Sequence, residues 1–321
     1  MSKTIILISS IGGDIGSSAV RSLRESVDMI IGCDIANNTF PVLDIIDRFY
    51  KAPPASDTDN YIDFLKEVIS KENIKGFLPI SEYEIEVLKS RRNEFDDLGV
   101  RLFMNNHKIL DNFLDKLKTV YYLKSINVKV PKTMLLNDYN GEFGYPVIIK
   151  PRKGCGGKGI LAAECPDDLE YMSKKNDGSL IVQEYIGTDA EDYTTGVFSD
   201  GNLVSSISFK RKLGFGSLSV EAVLVNEPFL DNMAQHISKE TGLIGSINIQ
   251  SRRSGDVFIP YEINPRLSST MLFRKKFGFD DAVWWLNVLF GKVYSYKVKY
   301  KSGRAVRYLS ERYFDMEAVA T

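Results

Sequence analysis

The sequence has 321 residues, 44% of them hydrophobic and 26% charged, with a formal net charge of -1, the composition of an ordinary globular protein. The balanced charge gives no reason to expect binding to nucleic acid or to an anionic membrane surface, and two histidines nearly exclude a histidine-based zinc site or catalytic triad. The three cysteines are too scattered for a disulfide framework, and no apolar run suits a membrane span or a signal peptide, so we expect a reduced, cytoplasmic protein.

Strand and helix patterns alternate at the start of the chain. A continuous apolar run over residues 4–10 predicts a buried strand, followed by a glycine-rich turn, a helix over 17–25 and a strand over 29–33. With Asp34 after the second strand, this order outlines a dinucleotide-binding unit, although Gly12-Gly13-x-x-Gly16 does not fit the Gly-x-Gly-x-x-Gly spacing. A tight turn without a ligand is the alternative.

The alternation continues to about residue 105. An amphipathic pattern over 61–70 predicts a helix, and apolar runs over 76–80 and 100–104 predict strands. Between these strands, Ser81 and Glu84 form a capping-box pattern at the start of a predicted helix over 82–95. A parallel sheet with flanking helices follows for this first part of the chain.

The remainder is predicted to be rich in strands. One helix is expected over 111–125, with Asp115 and Lys116 in its middle, where a lysine would by default be solvated. The predicted elements that follow are strands over 147–150, 160–163, 180–186, 193–198 and 203–210, a helix over 228–241, strands over 245–250 and 257–264, a helix over 280–290, and a final hairpin of 293–300 with 305–312.

Residues 151–159 form a glycine-rich segment between two predicted strands. Four glycines and three cations make it a mobile, positively charged flap, whose backbone amides can approach phosphate oxygens closely. It is not a P-loop, because Gly159 rather than serine or threonine follows Lys158 and a strand rather than a helix comes next. A plain flexible hairpin tip is the alternative.

Polar side chains alternate along the strand predicted at 257–264. Glu262, Asn264 and Arg266 fall on one face of an extended segment. The other face would carry Tyr261, Ile263 and Pro265. A carboxylate beside an amide oxygen suits Mg²⁺, and an arginine one step further along suits a phosphate. A solvated edge strand is the alternative.

The preceding strand repeats the alternation. Asn248 and Gln250 share a face, and a turn over 252–256 predicts a hairpin with the following strand. Both side chains would then lie beside Glu262.

Taken in order, these features resemble the ATP-grasp superfamily, in particular its carbamoyl-phosphate-synthetase-like ligases, over nearly the whole chain. The matching segments are Asp115-Lys116, residues 145–151 with Lys150, the glycine flap, residues 182–186, Glu191-Asp192-Tyr193-Thr194, and Glu262-x-Asn264-x-Arg266. The resemblance implies an α/β (α+β) chain, with a Rossmann-like pre-ATP-grasp domain over 1–105. An ATP-grasp fold of two α+β subdomains would follow, over 106–185 and 186–321.

The resemblance also implies site residues. The implied ATP-binding residues are Lys116, Lys150, Gly154, Gly156, Gly157, Lys158, Gly159, Glu184, Tyr185, Ile186, Glu191 and Asp192. Either Glu191 or Asp192 would hold ribose, and Asp192 stands where a glutamate is commoner. The implied Mg²⁺ ligands (Mn²⁺ being an option) are Glu262, Asn264, Asn248 and Gln250, the last two competing for one contact. The implied catalytic residues are Arg266, Lys150 and Arg211.

In this family the first domain lacks a nucleotide and contributes to the acceptor pocket. The substrate-side candidates are Gly12, Gly13, Asp34, Glu82, Ser268, Ser269 and Arg274. For Arg211, a substrate carboxylate or the γ-phosphate is the expected partner, and solvated hairpin charge is the alternative. For the two serines, helix capping is the alternative.

The implied reaction is phosphorylation of a carboxylate by MgATP to an acyl phosphate, which an amine then attacks to give an amide, ADP and phosphate. One alternative is an ATP-binding subunit of a larger synthetase, or an ATP sensor, without independent activity. An NAD(P)-dependent oxidoreductase built on the glycine turn and Asp34 would explain only the first third of the chain. The final hairpin could pair two copies into a homodimer.

Overall fold

The computed structural model describes residues 3–36, 40–154, 156–174, 177–214, 216, 218–292, 302–308, 310–311 and 313. Of these, the residues within Met1–Asn105, Arg266–Lys301 and Arg307–Thr321 form one compact unit, and those within Asn106–Pro265 and Ser302–Val306 form a second. The unit boundary after Asn105 coincides with the predicted first domain boundary. The predicted scheme differs after Pro265, where the chain returns to the first unit.

The first 105 residues form alternating strands and helices. The elements are β1 (Ile5–Ile8), α1 (Asp14–Leu23), β2 (Met29–Asp34), β3 (Arg48–Lys51), α2 (Thr58–Glu72), β4 (Gly76–Leu78), α3 (Glu82–Asp97) and β5 (Arg101–Leu102), with a 3₁₀ turn at Arg24–Ser26. The strands pair in parallel in the order β3-β2-β1-β4-β5, which confirms the predicted parallel sheet. Only β3 was not predicted, and it is a short edge strand without a fully buried residue.

In this unit, specific contacts confirm the predicted capping box and favour one of the two interpretations of the glycine turn. Ser81 caps α3, and the Glu84 carboxylate accepts a hydrogen bond from the Ser81 amide, which completes the capping box. The glycine turn is held by the side chain of Asp34, which accepts hydrogen bonds from the amides of Gly12 and Ala36, both at 2.9 Å. Asp34 is therefore engaged in holding the turn, which favours the tight-turn interpretation over a ribose-binding acid.

Residues 106–265 form most of the second unit. The elements are α4 (His107–Phe113), α5 (Lys116–Ser125), β6 (Thr133–Leu135), β7 (Val147–Pro151), β8 (Leu161–Ala163), α6 (Pro166–Ser173), β9 (Leu180–Glu184), β10 (Asp192–Asp200), β11 (Val204–Leu213), β12 (Ser219–Val225), α7 (Pro228–Thr241), β13 (Ile244–Ser254) and β14 (Val257–Asn264), with 3₁₀ turns at Leu136–Asp138 and Asp189–Glu191. The elements that the sequence analysis did not predict are β6, α6 and β12.

The last described elements are α8 (Met271–Lys276) and α9 (Asp281–Leu289) of the first unit and β15 (Arg304–Val306) of the second. Helix α9 confirms the predicted helix over 280–290, whereas α8 was not predicted. Strand β15 pairs with β12. The other predicted strand of the final hairpin, residues 293–300, lies outside the described residues.

The second unit contains two antiparallel sheets. One has four strands in the order β6-β9-β7-β8, and the other has six in the order β14-β13-β10-β11-β12-β15. Helix α7 covers one face of the larger sheet, where Leu230 and Ile237 pack in one cluster with Ile247 and Ile249 of β13. Because strand side chains alternate, the opposite face of β13 carries Asn248 and Gln250. The apolar face thus builds the core, and the polar face is left to form a site.

The predicted single helix over 111–125 is wrong, because the structure has two helices there. Helix α4 ends at Phe113, and Asp115 begins α5 as its N-cap, accepting hydrogen bonds from the amides of Leu117 and Lys118. A cap residue has extended rather than helical backbone, so it interrupts the apolar helical pattern. Among the described residues, no helix combines the length and apolar character needed to cross a bilayer.

Candidate functional site

The polar residues predicted on the two neighbouring strands lie together. In the β13–β14 hairpin, Asn248 pairs with Asn264 and Gln250 with Glu262, which confirms the predicted hairpin and its shared polar face. The Asn264 amide donates to the Glu262 carboxylate at 2.7 Å, and the Gln250 amide donates to the Asn264 carbonyl at 3.3 Å. Four oxygen-bearing side chains therefore share one sheet face.

One residue of this segment does not follow the predicted alternation. The register between the strands shifts after Gln250, so Tyr261 and Glu262 both lie opposite Gln250. An extra residue in a strand redirects its side chain. The Tyr261 hydroxyl consequently reaches Gln250 (3.1 Å) and the Asp192 carboxylate (2.8 Å) on the polar face. The expectation that Tyr261 faces the opposite side is wrong for this reason.

The strand lysine lies against this face. Lys150 of β7 is 3% exposed, its ammonium donates to Gln183 of β9 at 2.8 Å, and it lies 5.5 Å from the centre of the Tyr261 ring. Burial lowers the pKa of Lys150 to about 8, against the attraction of Glu262 and with repulsion from Lys116 and Arg252 adding to the effect. A buried ammonium among other cations is a position that an anionic ligand would stabilise.

Lys116 is the first residue of α5 rather than a mid-helix residue. Its ammonium donates to the Gly154 carbonyl of the flap at 2.7 Å, and its amide donates to the Arg152 carbonyl. Arg152 in turn pairs with Asp115 at 2.6 Å. The start of α5 and the start of the glycine flap are therefore joined, which places Lys116 beside the flap.

The glycine flap forms the loop of the β7–β8 hairpin, as predicted. Gly154, Gly156, Gly157 and Gly159 all have positive φ, between 69° and 110°, so this loop conformation requires glycine. Lys158 is exposed, and Cys155 lies outside the described residues. An exposed glycine loop that carries a cation has the composition expected of a phosphate-covering flap.

The predicted adenine-binding segment follows β9. Glu184 is fixed by two contacts with Lys132: its amide donates to the Lys132 carbonyl, and its carboxylate accepts from the Lys132 amide. The Glu184 carboxylate is thus already bound to the backbone of Lys132. Backbone groups of Tyr185 and Ile186 then remain the better candidates for reading a base.

The two acids considered for ribose have different environments. Asp192 is 2% exposed and accepts hydrogen bonds from Arg211 at 2.6 Å, Tyr261 at 2.8 Å and Arg252 at 3.3 Å. Glu191 lies nearer the surface, where hydrogen bonds from Lys210 and Tyr193 lower the pKa of its carboxyl group. The geometry favours Glu191 as the acid available to a ligand, and Asp192 as the centre of a buried network.

Arg211 belongs to that network. Its guanidinium donates to Asp192, to the Gln250 carbonyl at 2.8 Å and to the Tyr261 hydroxyl at 2.9 Å, and only 5% of its side chain is exposed. Burial lowers the pKa of Arg211, but Tyr261 and Asp192 outweigh this effect and leave the pKa raised. The alternative that Arg211 is a solvated charge of the hairpin is therefore wrong, because its guanidinium is buried and bound by three side chains.

Arg266 lies in the first unit, two residues beyond the end of β14. It pairs with Glu82 at 2.7 Å and also donates to the Leu267 carbonyl, and both paired side chains are largely buried. Among the described atoms its buried Nε has no hydrogen-bond partner. The structure thus brings together, within this unit, Glu82, a predicted substrate-side residue, and Arg266, a predicted catalytic residue.

The serines and arginine after Arg266 are placed differently from expectation. Arg274 is fully buried, pairs with the equally buried Asp281 at 2.8 Å and donates to Ser268. Ser269 accepts a hydrogen bond from Arg307 through its backbone carbonyl. The expectation that Ser268 and Arg274 face an acceptor substrate is wrong, because both side chains are buried and the Arg274 guanidinium is bound to Asp281 and Ser268 inside the unit.

Three residues of the site were missed by sequence reasoning: Gln183, Arg252 and Tyr261. The sequence does contain a signal for Gln183, because it is a polar residue that directly follows three apolar residues in β9. Arg252 was assigned to the turn, although β13 continues to Ser254.

The donor set fits a divalent metal that is held together with a phosphate ligand. Among the described residues, no group of three or more histidine, cysteine, aspartate or glutamate side chains could form a metal cage. One carboxylate, Glu262, stands beside the side-chain amide of Asn264, and Asn264 pairs with Asn248 across the hairpin. Mg²⁺ is commonly bound by one or two carboxylates with phosphate oxygens supplying the remainder, so these residues fit it.

The sequence matches two protein-family descriptions. The PylC-like N-terminal domain matches residues 6–103, and the ATP-grasp domain matches residues 113–270. Together they span most of the chain.

Individual relatives agree with this assignment. The formate-dependent phosphoribosylglycinamide formyltransferase of Prochlorococcus marinus is 24% identical over 84% of this chain and 72% of its own length. The carbamoyl phosphate synthase large chain, N-terminal section, of Methanopyrus kandleri is 24% identical over 83% of this chain, which spans only about half (51%) of that relative.

Among solved structures, the biotin carboxylase domain dimer of Hydrogenobacter thermophilus 2-oxoglutarate carboxylase, in complex with MgADP, ADP and bicarbonate, superposes with a TM-score of 0.77. It is 16% identical, and the match covers 95% of this chain and 74% of that one. At this identity the likeness shows the fold. Family matches, relatives and fold agree, and the chain belongs to the ATP-grasp superfamily, with a PylC-like N-terminal domain and a likeness to carbamoyl-phosphate-synthetase-like ligases.

Proposed function

We propose that this chain phosphorylates a small carboxylate (or carbonate-like acid) with MgATP and couples the acyl phosphate to an amine, releasing ADP and phosphate. The observation that carries the proposal is the juxtaposition, within the second unit, of the buried Lys150 ammonium with the oxygen-bearing face of Glu262 and Asn264. The ammonium group suits the phosphate oxygens and the side-chain oxygens suit the metal ion, so the two together fit a metal–polyphosphate, whereas either group alone would not.

The lysines supply positive charge for phosphoryl transfer. Lys150 is held by Gln183, and Lys116 is held at the flap by the Gly154 carbonyl, so both ammonium groups are pre-positioned before a ligand arrives. Fixed charges need no reorganisation when charge develops in the transition state. Because an acyl phosphate is already activated, positioning and charge stabilisation are sufficient, which agrees with a chain that has only two histidines.

Glu262 and Asn264 are the residues that would hold Mg²⁺, with Asn248 or Gln250 supplying a further oxygen. When bound, the metal would neutralise charge on the phosphate oxygens during transfer. Thr194 donates to the Asn248 carbonyl oxygen at 2.8 Å, and Arg211 and Tyr261 contact that of Gln250. The carbonyl oxygen of Gln250 already accepts from both Arg211 and Tyr261, which favours Asn248 as the metal ligand. Mn²⁺ is expected to substitute, since it accepts the same ligands.

We further propose which residues contact the ribose, the base, the transferring phosphoryl group and the acceptor. Glu191 would accept the ribose hydroxyls, and the chain after Glu184 would read the base. Arg266 would stabilise the transferring phosphoryl group, and Glu82 would hold the acceptor. A buried guanidinium with an unpartnered Nε next to a carboxylate supports these last two assignments. A homodimer also belongs to the proposal, since the 2-oxoglutarate carboxylase domain is described as a dimer. Sedimentation would test it.

The first test is Glu262→Gln, which removes the charge of the only carboxylate in the oxygen set while keeping its shape. Phosphate release from MgATP should fall by at least about 100-fold, because a metal ligand is lost, and the urea unfolding midpoint should change little. Glu221→Gln is the matched control: Glu221 is an acid of the same sheet, on β12, paired with the exposed Arg304. A folded Glu262→Gln variant with control-level activity would overturn the site assignment.

An ATP-binding subunit or sensor without independent activity is the second candidate. The observation in its favour is the 51% coverage of the carbamoyl phosphate synthase section, which shows that a similar segment also occurs inside a larger protein. Turnover distinguishes the two. Release of phosphate by the isolated chain with a panel of acids and amines supports the ligase, whereas tight MgADP binding without turnover across the panel supports the subunit.

A further inference from the structure

The segment that connects β9 to β10 needs support from outside its own backbone. Strand pairing ends at Glu184 and resumes at Asp192, and the residues between them form an irregular turn. This segment holds Tyr185 and Ile186, whose backbone would read the base under the proposed function. A base-reading segment must hold its donors and acceptors in place, so the contacts that fix it decide how well it binds.

Arg252 of β13 contacts this segment at several points. Its guanidinium lies 4.9 Å from the centre of the Tyr185 ring and donates to the Ile186 carbonyl at 3.4 Å and to the Asp189 carboxylate at 2.5 Å. The planar guanidinium allows stacking and hydrogen bonding at the same time. Only 16% of the Arg252 side chain is exposed, whereas its partner Asp189 is 82% exposed.

Arg252 is itself anchored at its other side. It stands directly across from Asp192 in the β10–β13 pairing, and its Nε donates to the Asp192 carboxylate at 3.3 Å. Asp192 is held in turn by Arg211 and Tyr261. The guanidinium therefore joins this turn to a buried network in the sheet.

A second, independent contact ties the same turn to the same strand. Gly187 has φ +59°, and a Cβ at this position would lie 2.3 Å from the backbone carbonyl oxygen of Arg253. Real Cβ atoms do not approach so closely, so the turn and β13 are in direct backbone contact at Gly187. The turn therefore docks on β13 in two ways: through the side chain of Arg252, and through a close backbone contact that only glycine permits at position 187.

We infer that Arg252 is a positioning residue of the nucleotide site, which fixes the base-reading segment 184–187 by docking it on β13. The inference rests on the proposed function, because it assigns a role within that nucleotide site. It predicts that Arg252 contributes to binding of the nucleoside part of ATP and not of its phosphates. Residues that contact the phosphates, such as Lys150, should show the reverse.

The test measures binding of MgADP and of magnesium tripolyphosphate by calorimetry to the full chain and to Arg252→Met. Methionine keeps much of the apolar stem and removes the stacking and hydrogen-bonding group. We expect the Kd for MgADP to rise about tenfold, since a misplaced binding segment loses its aligned contacts. The Kd for tripolyphosphate should change much less than the Kd for MgADP, because Arg252 takes no part in the hydrogen bonds that hold Lys150 and Lys116 and acts on Lys150 only through its charge.

Arg253→Met is the matched control. Arg253 is the next residue on the strand, and its side chain contacts Gly255 and Asp256 in the hairpin turn. It should bind both ligands as wild type does. Asp189→Ala is a second test that does not depend on replacing a buried group: Asp189 is 82% exposed, so folding should be unaffected. Its loss should raise the Kd for MgADP in the same direction, by about twofold to threefold, through a weaker hold on Arg252.

The outcomes separate this inference from the proposed function. If wild type binds no MgADP, the proposed function fails first. If wild type binds MgADP and Arg252→Met binds it equally well, or loses tripolyphosphate to the same extent, the positioning role is wrong while the nucleotide site stands. A selective loss of MgADP affinity in Arg252→Met and Asp189→Ala, absent in Arg253→Met, supports the inference.

Discussion

The sharpest test of the buried network is Asp192→Asn. Asp192 and Arg211 are joined at 2.6 Å with side chains only 3% and 5% exposed, so the substitution leaves a buried guanidinium facing a neutral amide. An arginine cannot relieve this by losing its proton. Breaking one partner of a buried ion pair costs about 3–5 kcal/mol. At a urea m value of about 2–3 kcal/mol/M, the midpoint should fall by roughly 1–2.5 M.

The assay is urea unfolding followed by fluorescence, with MgADP binding measured on the same samples. Glu191→Gln is the matched control, because Glu191 is the adjacent acid and its partner Lys210 is 40% exposed. Glu191→Gln should keep most of its stability and lose MgADP affinity, the opposite pattern to Asp192→Asn. In addition, Asp192→Asn with Arg211→Met should cost less than the two single changes added together.

One result would refute the reasoning. Suppose that the unfolding free energy of Asp192→Asn lies within about 1 kcal/mol of the wild-type value, that this variant no longer binds MgADP, and that Glu191→Gln binds MgADP normally. Asp192 would then contact the ligand, and the buried-network interpretation would be wrong.

Two further predictions concern single residues. Lys150→Met should lose MgADP binding while remaining at least as stable as wild type at pH 7, because it removes a buried ammonium. The pKa of Lys150 is about 8 in the folded protein and 10.5 as its ordinary value. Between pH 8 and pH 10.5 the unfolded chain therefore binds more protons than the folded one. The unfolding free energy of the wild type should consequently rise relative to that of Lys150→Met as the pH rises through this range. A stability difference independent of pH would contradict this. Gly16→Ala should lower the unfolding free energy by about 1–3 kcal/mol, because its Cβ would lie 2.2 Å from the Ser10 carbonyl oxygen. Gly13→Ala, whose Cβ would meet the same oxygen at 3.4 Å, should be tolerated, and equal stability of the two variants would count against the argument.

Much of the fold could be predicted from local sequence. Apolar runs marked β1 and β2, the serine and glutamate of the capping box marked the start of α3, and the predicted helix over 228–241 coincides with α7 (Pro228–Thr241). The same is true of the β13–β14 hairpin and of the polar face it presents. These features depend on residues close together in the chain, where side-chain period and capping chemistry act directly.

The interruption at Asp115 shows where local pattern is insufficient. Apolar residues on both sides keep a helical period, so periodicity alone joins α4 and α5. The N-cap geometry is stabilised by Arg152, which pairs with Asp115 from 37 residues away. A partner at that distance in the chain cannot be recognised from spacing.

The functional assignments of the acids and arginines required the tertiary structure. In sequence, Glu191 and Asp192 are adjacent and interchangeable, and Arg211 and Arg252 lie in ordinary basic turns. The structure buries Asp192 between both arginines and, through the bulge at Gln250, turns Tyr261 toward them. Sequence alone therefore determined the family, the strands of the candidate site, and the lysine and acid proposed to act there, Lys150 and Glu262. Which charged residues are buried partners and which remain available to a ligand was decided only by tertiary packing, because burial and ion pairing depend on strands brought together from 60 residues apart.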